Sequence, residues 1–461
     1  MSMSMQTIAL DRVDFLAPDR VTDNAAILTL KNLVFEPLCR WHDGRIKPAL
    51  FGQWSHDGTA RRWRFAIRPQ ARFHDGTPMH GQHIAEAINA ILDSRDMFGM
   101  RWSYARYFAD VEIEAQRDEV RFSCPSPFAD LPEVLSEFYL VRHDAHHRPV
   151  VGTGPYRVLD FSAGEATVLA PLDPSLPPLT LHAMTKAEDR LEAVLQGRVN
   201  AAAGLEQADV PPHKDGSLIW HSAVNTLSVM AYLDCSQGAF ADPLARLAAN
   251  LALDRGRLIA EVYGGDAIAA RTVVSPWHTG FAEAKLPPIP YDPARAKDLL
   301  DKAGGPSEIL IRTPDHMPER APAIARHIAD DLAAVGFSPT IAVEHDRPAY
   351  ARQIAEKQMG DMALFDSSPH STFRVLDDKI SGRTRALWWQ GYADARADEL
   401  IAAARHAVDD REAAYGAALA RLHQAPPWLY LVHPVALAAQ AHGTPPLALD
   451  AKGLLLPSLK D

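Results

Sequence analysis

Cysteine is almost missing from this 461-residue chain: there are three, Cys39, Cys124 and Cys235, far apart and odd in number. No CxxC pair or other thiolate spacing for a metal occurs. That disfavours a disulfide scaffold and a structural zinc site and leaves room for at most one disulfide. Basic charge is short as well. The formal net charge is −11, whereas a protein that grips phosphates needs a basic face to displace counterions; no nucleic-acid partner is expected. Long apolar runs are lacking too. The best of them, "QAPPWLYLVHPVALAAQA", is interrupted by Pro426, Pro427 and Pro434, so no membrane-spanning helix is expected. The start, "MSMSMQTIALDRVDFLAPDR", carries no basic stretch followed by an apolar one and shows no signal peptide. No repeat of fixed period stands out, which disfavours solenoids and propellers.

The signatures of catalysis are also absent. There is no GxSxG elbow, no P-loop, no GxGxxG with a following acidic residue and no HExxH. "VGTGPY" has the glycines of a phosphate loop but no lysine, and Pro155 removes an amide. It reads as a tight turn with Gly152 and Gly154 at positive φ. Two histidine groups invite a metal reading: His80 with His83, and His143 with His146 and His147. Neither has a carboxylate or thiolate at complementary spacing, so solvated surface histidines account for them better. Carboxylates are scattered, with no pair placed for acid–base work. Neither an enzyme nor a bound cofactor or metal is expected.

What is present is the composition of an ordinary globular protein, 47% hydrophobic and 23% charged, long enough for two or three domains. "AAILTLKNLVFEPLCRW" reads as a helix. "RRWRFAIRP" alternates Trp63, Phe65 and Ile67 with polar or small residues, the period of a half-buried strand. In "RFHDGTPMHGQHIAEAINAILD", Asp75-Gly76 supplies a turn, Thr77 a cap and Pro78 a first helical position. Ile84, Ala87, Ile88 and Ile91 form the apolar stripe. "VEIEA" and "EVRFSC" read as a strand pair, and "LPEVLSEFYLV" as a helix. Beyond residue 240, helices such as "DPLARLAANLALDRGRLIAEVYGG", "DPARAKDLLDKAG" and "ERAPAIARHIADDLAAVG" alternate with the strands "EILIRT" and "SPTIAV". A last helix spans 395–422. The order is that of an α/β protein with at least two lobes.

Several of these stretches, in this order, resemble the family 5 solute-binding proteins, the dipeptide, oligopeptide and nickel receptors of ABC importers. They are "NLVFEPLCRWHDGRIKPALFGQWSHDG" with "FHDGTP", then "VGTGPYRV", "ADPLARLAANLALDRGRLIAEVYGG", "YDPARAKDLLDKAG", and the C-terminal "GYADARADELIAAARHAVDDREAAYGAALARLHQAPPWLYLVHP". The resemblance implies a type II periplasmic-binding-protein-like fold, with two α/β lobes joined by crossing strands around a ligand cleft. One lobe carries an accessory domain. The implied boundaries are residues 1–40, 168–236 and 431–461 for the first lobe, 41–167 for its accessory domain and 237–430 for the second. It implies that "FHDGTP" is structural, Asp75 accepting backbone amides, and that a ligand is captured by closure, which it favours by its differential affinity for the shut state. A micromolar receptor needs about −8 kcal/mol net.

Family contacts fall at three places. One is "DMALFDSSPHSTFRVL", with Asp366, His370 and Arg374; in peptide receptors an aspartate in this neighbourhood holds the ligand's α-amine. The second is "ALWWQGY", with Trp388, Trp389 and Tyr392, though neighbouring tryptophans cannot share a face. The third is "FGMRWSYARYF", with Arg101, Trp102 and Tyr104. The implied partners are a small peptide-like, anionic or zwitterionic ligand and an ABC permease of the inner membrane. The receptor itself is expected to be a monomer in the periplasm. A nickel- or metal-chelate receptor of the same fold is the alternative. A cytosolic ligand sensor is another, in whose favour only the leaderless start speaks.

Overall fold

The computed structural model describes residues 4–16, 24–95, 99–207, 216–316 and 318–458; parts of the N-terminal stretch quoted above, residues 1–3 and 17–20, lie outside them. Two compact units emerge: unit 1 comprises Met1–Ala223 and Ala436–Asp461, and unit 2 comprises Val224–Val435. The chain therefore passes between units twice, within the strands Ile219–Val224 and Trp428–Gln440. The lobe boundaries expected at 236/237 and 430/431 both fall inside unit 2. The reason is the strand Ser228–Leu233, buried at every position between Met362–Ser367 and Trp428–Gln440.

Unit 1 has a sheet ordered Ala201–Ala203, Gln6–Leu10, Leu179–Ala183, Ala166–Pro171 and Tyr156–Ser162. Gln6–Leu10 is parallel to both neighbours, and the last two strands close the edge antiparallel. The helix Ala25–Val34 buries Leu30, Leu33 and Val34 in the same core as Ile8, Leu181 and Tyr156. It stops seven residues before Trp41, earlier than its apolar run suggests, because Glu36 precedes Pro37 and that position disfavours helical backbone. Cys39–His42 is instead a strand of a hairpin.

Residues 41–167 contain a separate four-stranded antiparallel sheet, ordered Phe51–His56, Arg62–Ile67, Glu119–Ser123 and Glu112–Ala115. The expected alternation holds on Arg62–Ile67, where Trp63 and Phe65 are buried and Arg62 and Arg64 exposed. The stretch "LPEVLSEFYLV" is helical only over Leu131–Leu135. The helix after the His-Asp-Gly-Thr-Pro turn begins at Gly81, not Pro78. Pro78 is held in a bridge to Arg72, Met79 donates to the Ala71 carbonyl, and His83 Nδ1 accepts the amide of His80 at 3.2 Å. Its buried stripe is Ile84, Ala85, Ile88 and Ile91, with Ala85 in place of Ala87.

Unit 2 is a sheet ordered Phe337–Glu344, Ser307–Pro314, Met362–Ser367, Ser228–Leu233 and the first part of Trp428–Gln440. The first three strands are parallel and the remainder antiparallel. One face packs Val229, Ala231, Leu233, Met362, Leu364, Leu429 and Leu431 against the helices Pro243–Ala252, Pro293–Lys302 and Ala321–Val335. The long expected helices are each two. Asp254 caps Arg255–Val262 after the break at Leu253, and residues 395–422 divide into Ala395–His406 and Arg411–Gln424. All three cysteines are free. Among the described residues, no helix is long and apolar enough to cross a membrane.

Candidate ligand-binding site

The strand Met362–Ser367 ends at the centre of the unit 2 sheet, and the loop beyond it is fixed from below. His278 Nε2 contacts the Pro369 carbonyl at 2.8 Å, and Thr372 donates its hydroxyl to the Thr279 carbonyl at 2.7 Å. Ser371 then caps the short helix Thr372–Val375, which runs on as a wider turn through Ile380. Burial holds the His278 pKa down to about 4 despite its bonds to Pro369 and Ser275. Its ring is therefore a neutral strut.

Charged and aromatic groups gather where that strand ends. Arg347 opens the helix Arg347–Ala355 behind the cap Asp346. Its guanidinium lies over the Phe365 ring at 4.4 Å and the Tyr350 ring at 5.5 Å, with Nη2 4.0 Å from Asp366 Oδ1. Trp388 packs on Phe365 from another side, centroids 5.3 Å apart. Tyr232, on the neighbouring strand, meets Phe365 at 5.6 Å. Burial, then the charges of Asp366 and Asp378, push the Tyr232 phenol well above its ordinary pKa. Arg374 pairs with Asp378 one turn on, at 3.9 Å. Asp377 accepts from Thr384 at 3.0 Å and from Arg405 at 3.4 Å.

The nominated residues divide by burial. Asp366 keeps 16% of its side chain exposed, and Trp388 and Trp389 are half-buried. His370 and Arg374 are both buried. Tyr392 is committed to the core: its hydroxyl donates to the Ala425 carbonyl at 2.8 Å and Arg246 covers its ring. Trp389 faces away from Trp388's contact, donating Nε1 to the Tyr392 carbonyl at 2.8 Å with Arg385 over its ring. Asp366 and Trp388 thus meet around Arg347 and Phe365, Arg374 pairs with Asp378, and Tyr392 is buried.

Arg101, Trp102 and Tyr104 belong to unit 1. Arg101 is exposed and Trp102 half-buried. Tyr104 is fully buried, packed by Trp102 at 4.0 Å and Phe138 at 5.0 Å, so its ring is part of the core. Two groups of the site are not signalled by the sequence. Arg347 gives only a capping signal, Asp-Arg-Pro, and Tyr232 reaches the site through strand pairing, which leaves no local spacing.

The His-Asp-Gly-Thr-Pro turn is structural. Asp75 Oδ1 accepts the Thr77 amide at 2.9 Å. His74 donates its amide to Gly152 O at 2.9 Å, and its Nε2 lies 3.0 Å from Gly154 O, latching the turn to the Gly-Thr-Gly-Pro-Tyr segment. Among the described residues, no group of three or more His, Cys, Asp or Glu side chains could hold a metal ion.

Comparison with known proteins agrees with this architecture. The family described as bacterial extracellular solute-binding proteins, family 5, middle, matches residues 45–373. The nickel-binding periplasmic protein of Escherichia coli (strain K12) is 24% identical over 440 residues, covering 85% of this chain and 82% of the relative. Di/tripeptide-binding protein 2 of Pseudomonas aeruginosa (strain UCBPP-PA14) is 29% identical over 411 residues, 81% and 73% of the two chains. Among solved structures, the periplasmic binding protein DppA of Helicobacter pylori, in complex with the peptide STSA, superposes with a TM-score of 0.75. It does so at 20% identity, covering 99% of this chain and 98% of that one.

Proposed function

The chain belongs to the family 5 bacterial extracellular solute-binding proteins, and from that premise we propose that it captures a small zwitterionic, peptide-like solute against Asp366 and Trp388 of unit 2. Proteins of this family are transport receptors that deliver small-molecule or peptide ligands to an ABC permease. The permease is therefore the partner, and the periplasm, named for the relatives, the proposed compartment. The receptor acts as a monomer and binds no nucleic acid in this reading.

One observation carries the solute class: a partly exposed carboxylate, Asp366, beside an aromatic wall of Phe365 and Trp388 that Arg347 covers at 4.4 Å. A carboxylate in such a setting takes an ammonium group through charge-assisted hydrogen bonds. The ring of Trp388 adds apolar area and a face for a cation. Arg347 and Arg374, each set beside a carboxylate, offer guanidiniums to a carboxylate of the solute while Asp366 takes its ammonium, which favours a solute bearing both signs.

The test is a thermal-shift and calorimetric comparison of L-alanyl-L-alanine with a nickel–histidine chelate on the full chain. Binding at about one hundred times Kd stabilises by about 2.7 kcal/mol. The dipeptide is expected to raise the melting temperature, and Asp366→Asn to weaken its binding by roughly tenfold or more. A chelate that binds while the dipeptide does not overturns the peptide reading in favour of a metal-complex receptor. Because no protein cluster fit for a bare ion is found among the described residues, such a metal would arrive with its own ligands.

A further inference from the structure

Beneath the loop that follows Asp366 lies a second group of polar side chains that the binding reading does not use. Ser228 and Ser367 are direct partners in the antiparallel pair of their strands, so both hydroxyls project from one sheet face. That face is opposite the one carrying Val229, Leu364 and the apolar core. His433, on the adjacent strand, brings Nδ1 to 3.2 Å from Ser228 Oγ and 3.2 Å from the Leu227 carbonyl. His433 is 1% exposed and Ser367 2% exposed. Yet His433 Nε2 and Ser367 Oγ have no hydrogen-bond partner among the described residues.

The tautomer follows from the contacts. A carbonyl oxygen only accepts, so the Leu227 contact puts the ring proton on Nδ1 and leaves Nε2 a bare acceptor. Burial holds the ring neutral, pushing its pKa down to about 3. An acceptor enclosed in this way is costly unless something donates to it. The missing group must carry an O–H or N–H. It cannot be an anion, which has nothing to donate to Nε2.

We propose that His433 Nε2 and Ser367 Oγ form an uncharged subsite that takes a hydroxyl or amide N–H of the bound solute. This rests on the reading of the chain as a receptor for a peptide-like solute and extends it: Ser367 shares its sheet face with Phe365 and Tyr232, whereas Asp366, opposite Val229, projects from the other, so the neutral pair meets the part of the solute that lies along the aromatic wall. A resident water has the same donor chemistry, so the experiment separates the two sources.

Two measurements test the subsite. The first is ring 15N NMR of the histidine-labelled full chain, free and with L-alanyl-L-serine. His433 is expected as the Nδ1–H tautomer, with an Nε2 signal that moves toward the hydrogen-bonded range when the dipeptide is added. The second compares affinities for L-alanyl-L-serine and L-alanyl-L-alanine. The hydroxyl is expected to give roughly tenfold tighter binding in the parent and no preference in His433→Phe. A proton on Nε2 in the free protein overturns the subsite whether or not any dipeptide binds. An Nε2 already hydrogen-bonded and unmoved by dipeptide, with equal affinities, assigns the place to water and overturns the solute contact. Failure of both dipeptides to bind counts against the peptide reading, while equal affinities count against the subsite alone.

Discussion

Replacing Gly152 by alanine tests why the Gly-Thr-Gly-Pro-Tyr segment needs its glycines. A Cβ added there would lie 2.1 Å from the Val34 carbonyl oxygen and 2.6 Å from Phe35 Cδ1. Both neighbours are buried at the end of the helix Ala25–Val34, and Val34 O already accepts the Gly154 amide at 2.9 Å. Relief therefore requires backbone to move by about an ångström, not a side chain to rotate. Overpacking a core costs about 1–3 kcal/mol where side chains can adjust, so a backbone clash belongs at the upper end or beyond, about 3 kcal/mol. For a domain of this size each kcal/mol is worth about 2–4 °C, giving a melting point lower by roughly 6–12 °C.

Gly76 provides the internal comparison. It sits at φ +84° with nothing within 4 Å of where a methyl group would be placed, so Gly76→Ala meets only the left-handed penalty of about 1–2 kcal/mol. Differential scanning calorimetry of the three proteins, with urea titration to confirm an unchanged m-value, orders them. Gly152→Ala is expected to lose clearly more than Gly76→Ala. A Gly152→Ala protein melting within about 2 °C of the parent, on the scale just given, or one more stable than Gly76→Ala, would refute the close approach.

Three further outcomes follow from the packing. Asp331 receives the Asp254 amide at 2.8 Å and pairs with Arg257. Although burial raises its pKa, hydrogen bonds from His327, Asp254 and Arg257 bring it below 3.8. Its stabilisation is therefore complete above the ordinary carboxylate pKa and is lost as pH falls through the lowered one. Asp331→Asn should cost about 2 kcal/mol at neutral pH, and the gap in urea midpoints should close as pH falls through that lowered value; a gap independent of pH contradicts this. Arg255→Met strands the carbonyls of Tyr430 and Asn250, each 2.9 Å from the guanidinium. A loss of about 3 kcal/mol or more is expected in chemical denaturation. Tyr350→Phe removes hydroxyl donation to Leu364 O at 2.6 Å and Arg312 O at 3.1 Å. It should destabilise by about 1 kcal/mol while leaving dipeptide affinity within about twofold; a larger affinity change would mean the hydroxyl itself belongs to the site.

Much of the architecture is legible because it is local. Apolar alternation on Arg62–Ile67 and the helix opened by Asp292-Pro293 are read within a few residues, and the structure reproduces both. What is not legible has a physical cause too. Gly152 and Gly154 look like turn glycines, yet neither has positive φ; the helix end at Val34, distant in sequence but adjacent in space, leaves no room for side chains there. The helix does not start at Pro78 because Pro78 and Met79 are tied to Arg72 and Ala71, and at its actual start Gly81 lies so close to the Gln116 carbonyl that a Cβ would be 2.1 Å away. In the candidate site, Asp366 is legible as a polar residue at a strand end. Arg347 is not, since its approach to Phe365 depends on how a preceding helix packs on the sheet.

The buried arginines of unit 2 divide into two kinds, and the division argues for where a ligand goes. Arg246 donates to the carbonyls of Pro426, Phe240 and Ala241, and Arg255 to those of Tyr430 and Asn250. These guanidiniums knit loops to the sheet, and burial lowers the Arg255 pKa to about 10. Arg347 and Arg374 are instead set beside carboxylates, Asp366 at 4.0 Å and Asp378 at 3.9 Å, with Arg347 also stacked on aromatic rings. Stability alone does not call for such pairs, because well-packed apolar residues replace a buried ion pair at little or no loss. Carbonyl-bound arginines fix the frame, whereas carboxylate-paired ones next to a partly exposed aspartate can exchange partners with an incoming ammonium or carboxylate. Substituting Arg246 should therefore unfold unit 2 without a selective effect on the solute, and substituting Arg347 should change solute affinity by more than its effect on the melting point predicts.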